Sequence, residues 1–89
     1  MHYVTLSPEQ CRAARGLRGL TIEQLAEATK LTRKTLSDFE NGKTTPQPRT
    51  LRDIVAALEQ LGVEFIAEGE LSPDGGAGVR LRKEKPQSA

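Results

Sequence analysis

Three helix-start signals follow one another between Ser7 and Thr32, and they confine the first half of the chain to short helices. In Ser7-Pro8-Glu9-Gln10 a capping hydroxyl precedes a proline at the first helical position and a glutamine at the third, the spacing of a capping box. Thr21 repeats the device with Gln24, and Leu20 and Leu25 flank it as a hydrophobic staple. Thr32 caps a third helix between the staple pair Leu31 and Leu36. Gly19 stops the first helix after Arg18, the second breaks after Thr29, and Asn41-Gly42 closes the third.

Pro48 announces a fourth helix, on which Leu51, Ile54, Val55, Leu58 and Leu61 recur at the spacing of one buried face; Gly62 ends it. The period then changes to two. Val63, Phe65 and Ala67 alternate with Glu64, Ile66 and Glu68, and Val79 and Leu81 alternate with Arg80, Arg82 and Lys83. Two short strands are predicted, joined through LSPDGGAG as an antiparallel hairpin with a flexible loop of about ten residues, longer than usual. The organisation expected is a helical unit over 1–62, a strand pair over 63–83 and a disordered tail over 84–89.

At 89 residues the chain has room for one small domain and none for a large catalytic cleft between two. Its longest apolar run, Ile54 to Leu58, falls far short of the roughly 20 residues that span a bilayer. The start MHYVTLSPEQ has neither a charged nor an apolar signal region, and one cysteine, Cys11, allows no internal disulfide; both favour a cytoplasmic setting. Net charge is only +1, but its distribution is uneven. Residues 30–52 carry +4 and residues 53–78 carry −6, a pattern that points to a polyanion partner for the middle of the chain.

No enzyme constellation is present. His2 stands alone at a terminus, and Cys11 shares a helix face with Leu6 and Ala14, as a small buried hydrophobe does. The glycines of SPDGGAG lack the Lys-Ser or Lys-Thr and the following helix of a phosphate loop. The carboxylates of 53–78 read as a solvated helix face and strand edge, and neither a metal nor a cofactor is expected.

The stretch from Ile22 to Phe39 is more informative. Its apolar residues Ile22, Leu25, Ala26, Leu31, Leu36 and Phe39 let two helices cross steeply over a tight turn, with small Ala26 permitting close approach. This is helix-turn-helix geometry, so the expected fold class is mainly α: four helices forming a helix-turn-helix DNA-binding domain, followed by a short C-terminal β-hairpin. The free face of the second paired helix reads Thr32, Arg33, Lys34, Ser37 and Asp38. An α-helix fits the major groove of B-form DNA, where arginine and lysine donate to guanine and a threonine methyl touches thymine.

Residues 8–61, in the run LRGLTIEQLAEATKLTRKTLSDFENGKTTPQPRTL, resemble the Cro and phage-repressor-like DNA-binding domains of Xre-type transcriptional regulators. The most specific pieces are Leu25-Ala26, the closing FENGKTTP and their separation. The resemblance implies that Thr32, Arg33, Lys34, Ser37 and Asp38 face bases or adjacent phosphates. It implies phosphate contacts from Asn41, Gly42, Lys43 and Thr44, through a lysine and backbone N–H groups, with Arg49 nearby; Lys30, where the family has glycine, is expected near phosphate as an offset to its strain. It also implies a structural ion pair between Arg15 and Glu40. Two positions depart from the family pattern: Ile22 stands where a glutamine is common, and Lys30 occupies a turn position that favours glycine, at a strain cost of about 1 kcal/mol. Asp38 either accepts from cytosine N4, orients Lys34 or points away.

One module of this size makes few base contacts, so a homodimer on a palindromic operator is expected, acting as a repressor. The dimerisation candidates are Val63, Phe65, Ile66, Val79 and Leu81, with strands of two chains combining into one sheet against Leu58 and Leu61; the alternative is a hairpin packed on its own bundle. A second functional reading makes the chain the antitoxin of a toxin–antitoxin pair, which neutralises a toxin protein through its C-terminal segment and represses its own operon. A third is an adaptor that binds another regulator protein instead of DNA.

Overall fold

The computed structural model describes residues 6–83 and consists of four helices followed by a two-stranded antiparallel sheet: α1 (Pro8–Arg18), α2 (Ile22–Thr29), α3 (Arg33–Glu40), α4 (Pro48–Gln60), β1 (Val63–Ile66) and β2 (Gly78–Leu81). His2 and the tail 84–89 lie outside the described residues.

The helix boundaries follow from local hydrogen bonds. Ser7 Oγ accepts from the Gln10 amide, and Gln10 Oε1 accepts from the Ser7 amide, both at 3.0 Å. Thr21 and Gln24 form the same reciprocal pair at 3.1 and 2.8 Å. Thr32 Oγ1 accepts from the Thr35 amide at 3.0 Å. Each cap satisfies amides that the first helical turn would otherwise leave without a partner. At the other ends, Gly19 and Gly42 turn the chain into the left-handed region at φ 65° and 75°. Lys30 does the same at φ 60°, the one non-glycine residue to do so among those described. In this conformation its Cβ crowds the following carbonyl.

The core gathers Leu6, Cys11, Ala14, Leu25, Leu36, Phe39, Leu51, Ile54, Val55, Leu58 and Val63. Burial of each large aliphatic or aromatic side chain here is worth about 1.5–3 kcal/mol. Leu61 departs from the expected helical face. The α4 helix ends at Gln60, so Leu61 is its C-terminal cap at φ −88°, ψ 6°, and the side chain leaves the stripe and stays 37% exposed.

The strands pair within one chain, with Val63 opposite Leu81, Glu64 opposite Arg80, Phe65 opposite Val79 and Ile66 opposite Gly78. Directly opposed residues share a face. Val63 is fully buried in the helical core, and Phe65 and Val79 pack against that core, so the hairpin finds its cover on its own bundle. This is the packing that the alternative reading of the hairpin described for one chain. Gln10 fastens the hairpin, because its Nε2 donates to the Gly78 carbonyl at 3.0 Å and the Ile66 carbonyl at 3.5 Å while its Oε1 serves the α1 cap. The connecting loop is tied by internal bonds, among them Gly69 N to Gly75 O at 2.7 Å and Ala67 N to Glu70 Oε1 at 2.7 Å.

Lys30→Gly should relieve the left-handed strain and raise stability by about 1 kcal/mol. Urea denaturation of the two chains checks this, and a stability unchanged or lowered would contradict it.

Candidate nucleic-acid interface

The second and third helices pack through Leu25, Ala26, Leu36 and Phe39, all buried. The methyl-sized side chain at Ala26 lets the helices approach, and the turn between them closes through Leu31 N to Ala26 O at 3.1 Å. This packing takes one side of α3 and leaves the other to solvent. Thr32, Arg33 and Lys34 are exposed on the free side, whereas Ser37 and Asp38 are half-buried farther along. The sequence-predicted base-reading residues thus divide into an open group at the N-terminal end of α3 and a more sheltered pair in its last turns.

Each of the two cations in the open group has an acidic neighbour. Lys34 Nζ lies 3.0 Å from Asp38 Oδ2 one turn on, and Arg33 Nε lies 3.2 Å from Glu23 Oε2 on α2. Asp38 thus lies within hydrogen-bond distance of Lys34 in the free chain. Exposed pairs of this kind contribute about 0–1 kcal/mol, so neither anchors the fold. The Thr32 hydroxyl is engaged with the Thr35 amide and with Thr35 Oγ1 at 2.8 Å, which leaves its methyl group as the apolar feature at the helix start.

The loop after α3 differs from expectation in one respect. The amides of Asn41, Gly42 and Lys43 already donate to Ser37, Phe39 and Asp38 carbonyls at 2.9, 2.9 and 2.8 Å. These bonds close the helix, with Gly42 supplying the left-handed conformation that they require. Backbone N–H groups of 41–43 are consequently committed inside the chain, and Gly42 shapes the loop instead of offering a donor. What the loop presents outward is side chains: Asn41, Lys43 and Thr44 are exposed, as are Arg49 at the start of α4 and Lys30 in the turn. Among the described residues Lys30, Lys43 and Arg49 enter no ion pair.

Behind this surface lies a buried polar junction. Glu40, in the last turn of α3 and 4% exposed, receives Arg15 from α1 in a two-bond grip, Nε to Oε2 at 3.0 Å and Nη2 to Oε1 at 2.8 Å. Arg15 Nη1 also donates to the Leu20 carbonyl, and Arg12 Nη1 caps the Glu40 carbonyl at 2.8 Å. Hydrogen bonding to Glu40 holds the Arg15 guanidinium still more firmly protonated than usual. Cys11 is buried, as its helix position implied, but its thiol also donates to Glu40 Oε2 at 3.3 Å. Burial, with the Glu40 charge adding to it, pushes the Cys11 thiol up to about 12.

Sequence reasoning missed the second bonds of Gln10, the Arg12 contact and the Glu23 contact to Arg33. Arg12 was within reach of inspection, since it lies one turn before Arg15 on α1. Among the described residues no group of three His, Cys, Asp or Glu side chains is placed to hold a metal, and no helix is long and apolar enough to cross a membrane.

The sequence profile of the family described as helix-turn-helix matches residues 12–65. That span runs from Arg12 through the paired helices to the first strand, more than half of the chain, and the chain belongs to this Xre/Cro-like helix-turn-helix family of DNA-binding transcriptional regulators. The chain is also 40% identical over 52 residues to a Bacillus subtilis (strain 168) protein named "Uncharacterized HTH-type transcriptional regulator RghRB". The match takes in 57% of this chain and 37% of that relative's length.

The Cys11 environment predicts a pH effect of definite sign. The unfolded thiol ionises near its ordinary value of 9.0 while the folded thiol keeps its proton to about 12. The unfolded state therefore binds fewer protons in that window, and stability falls as pH rises through it. Urea titrations from pH 8 to 11 on this chain and on Cys11→Ala check it; a pH slope identical in both would contradict the assignment.

Proposed function

We propose that this protein is a sequence-specific double-stranded DNA-binding regulator that acts as a homodimeric repressor on a two-fold symmetric operator. The observation that carries the DNA reading is the exposed start of α3, where Thr32, Arg33 and Lys34 stand clear of the bundle on a helix anchored from behind by Glu40. In this reading α3 enters the major groove, Arg33 and Lys34 donate to base edges, and the Thr32 methyl meets thymine. Ser37 and Asp38 lie deeper in the same contact, with Asp38 setting the position of Lys34. Lys30, Asn41, Lys43, Thr44 and Arg49 grip the phosphates on either side, which positions α3 without reading sequence.

Replacing Arg33 and Lys34 together by alanine should leave the circular-dichroism spectrum unchanged and abolish preference for the operator. Lys43→Ala should weaken binding to every duplex and lower the salt slope by about one counterion. Anisotropy titrations at several salt concentrations separate the two. A double variant that still preferred its operator would overturn the recognition-helix assignment.

For the dimer, the hairpin narrows the candidates. Val63, Phe65 and Val79 are occupied with the chain's own core, while Leu81 is 42% exposed, Ile66 is half-buried, and Leu61 is exposed at the nearby end of α4. A second copy placed against Leu81 and Leu61, with hairpin edges adjoining, covers apolar surface that one chain leaves open. Light scattering of the full chain should then give a dimer mass, and Leu81→Glu a monomer. A monomer mass for the unchanged chain, or a dimer mass for the variant, would contradict this contact.

The antitoxin reading has one supporting observation. The loop 67–77 presents Glu68, Glu70 and Asp74 with Leu71 at 65% exposure, an acidic projection with an apolar side chain on it and a surface a basic partner protein can grip. It is compatible with repression, because the loop belongs to the hairpin and α3 to the helical layer.

A further inference from the structure

Arg33 reaches from α3 to the first turn of α2, where Glu23 meets it, and the closest approach is through Nε at 3.2 Å. Both side chains are largely exposed, at 70% and 59%, so the pair does little for the stability of the fold. Its consequence is geometric. A guanidinium is a rigid planar fork, and a partner on the Nε edge occupies the side of the fork while leaving the end-on pair, Nη1 and Nη2, for another ligand. Those two nitrogens are the donors that meet guanine O6 and N7 in the major groove. Arg33 also lies at the first position of α3, on its most open part, where a long side chain without a neighbour would sample many rotamers.

The position of Glu23 carries a second consequence. A carboxylate in the first turn of α2 suits the positive end of that helix. In a helix-turn-helix, however, the first helix of the pair crosses the DNA backbone, so the same carboxylate approaches phosphate when the domain docks. It disfavours any docking held by phosphate contacts alone. At a correct base pair the Arg33 contact offsets that repulsion, and at a wrong one nothing does.

We propose that Glu23 is a positioning and specificity-determining residue for base reading by Arg33: it holds the guanidinium by its Nε edge, aims the terminal nitrogens at a guanine, and weakens binding to DNA of the wrong sequence. The proposal rests on the reading of α3 as the recognition helix, and its test separates the two. The full chain, Arg33→Ala, Glu23→Ala and Glu23→Gln are titrated by fluorescence anisotropy against three duplexes at several salt concentrations. The duplexes are the one enriched by the unchanged chain from a randomised pool, the same duplex altered at the base pair where Arg33→Ala loses discrimination, and an unrelated sequence.

Glu23→Ala should keep its circular-dichroism spectrum, lose about tenfold of the discrimination at that single base pair, bind the unrelated duplex more tightly and show a steeper salt dependence. Glu23→Gln keeps the length of the side chain and an oxygen that can face Nε, but no charge. It should keep most of the base discrimination and share the tighter binding to unrelated DNA. If Arg33→Ala loses its base pair while Glu23→Ala discriminates as the unchanged chain does, the role of Glu23 is overturned and the recognition helix stands. Lost discrimination without tighter binding to the unrelated duplex overturns the phosphate-repulsion half. Enrichment of no duplex, or an Arg33→Ala that loses nothing, overturns the recognition-helix reading itself.

Discussion

The carboxylate of Glu40 fixes where α3 lies, and the open face of that helix depends on the placement. It is buried, it accepts two guanidinium bonds from Arg15 and a thiol bond from Cys11, and its own backbone carbonyl is capped by Arg12. A carboxylate in a core is expensive unless its oxygens are satisfied, and loss of one partner from a buried pair costs about 3–5 kcal/mol. Here three side chains of one helix converge on the last residue of another. The C-terminal end of α3 is thereby locked to α1, its N-terminal end is held by the Thr32 cap, and Leu36 and Phe39 bind its middle and last turn into the core. A rigid helix anchored from behind presents its free face at a fixed height and angle, which base reading requires.

The outward face shows the opposite economy. Its ion pairs, Arg33 with Glu23 and Lys34 with Asp38, are exposed and weak, and among the described residues Lys43 and Arg49 enter no ion pair. The strong polar bonds lie inside, where they set geometry, and the weak ones lie outside, where they leave the remaining donors of each cation open. The strand pair belongs to the inner category. Through Val63 in the core and Gln10 on two of its carbonyls, the hairpin buttresses α1, which in turn holds α3.

Most of the fold was legible because its signals are local. Caps at Ser7, Thr21 and Thr32, and left-handed positions at Gly19, Lys30 and Gly42, depend on residues within one or two turns of each other, so spacing alone reveals them. Leu61 misled for the same reason: periodicity places it on the α4 face, but the helix ends one residue too soon. The pair of Arg15 and Glu40 was legible through family resemblance, since nothing in spacing joins residues 25 apart. Three features were not legible. Gln10 looks spent on its cap, and only the fold brings two strand carbonyls to its free amide. The amides of 41–43 look available until the helix closure that uses them is seen. Glu23 reads as a dipole-complementing residue, and its reach to Arg33 follows from the crossing of α2 and α3.

The central claim is that the open face of α3 reads DNA sequence. The most direct measurement is selection of bound duplexes from a randomised pool at about 150 mM salt, where binding through phosphates alone is suppressed. The account predicts enrichment of a defined motif containing a guanine in each of two symmetric half-sites. A folded protein that enriches no motif at that salt would contradict it.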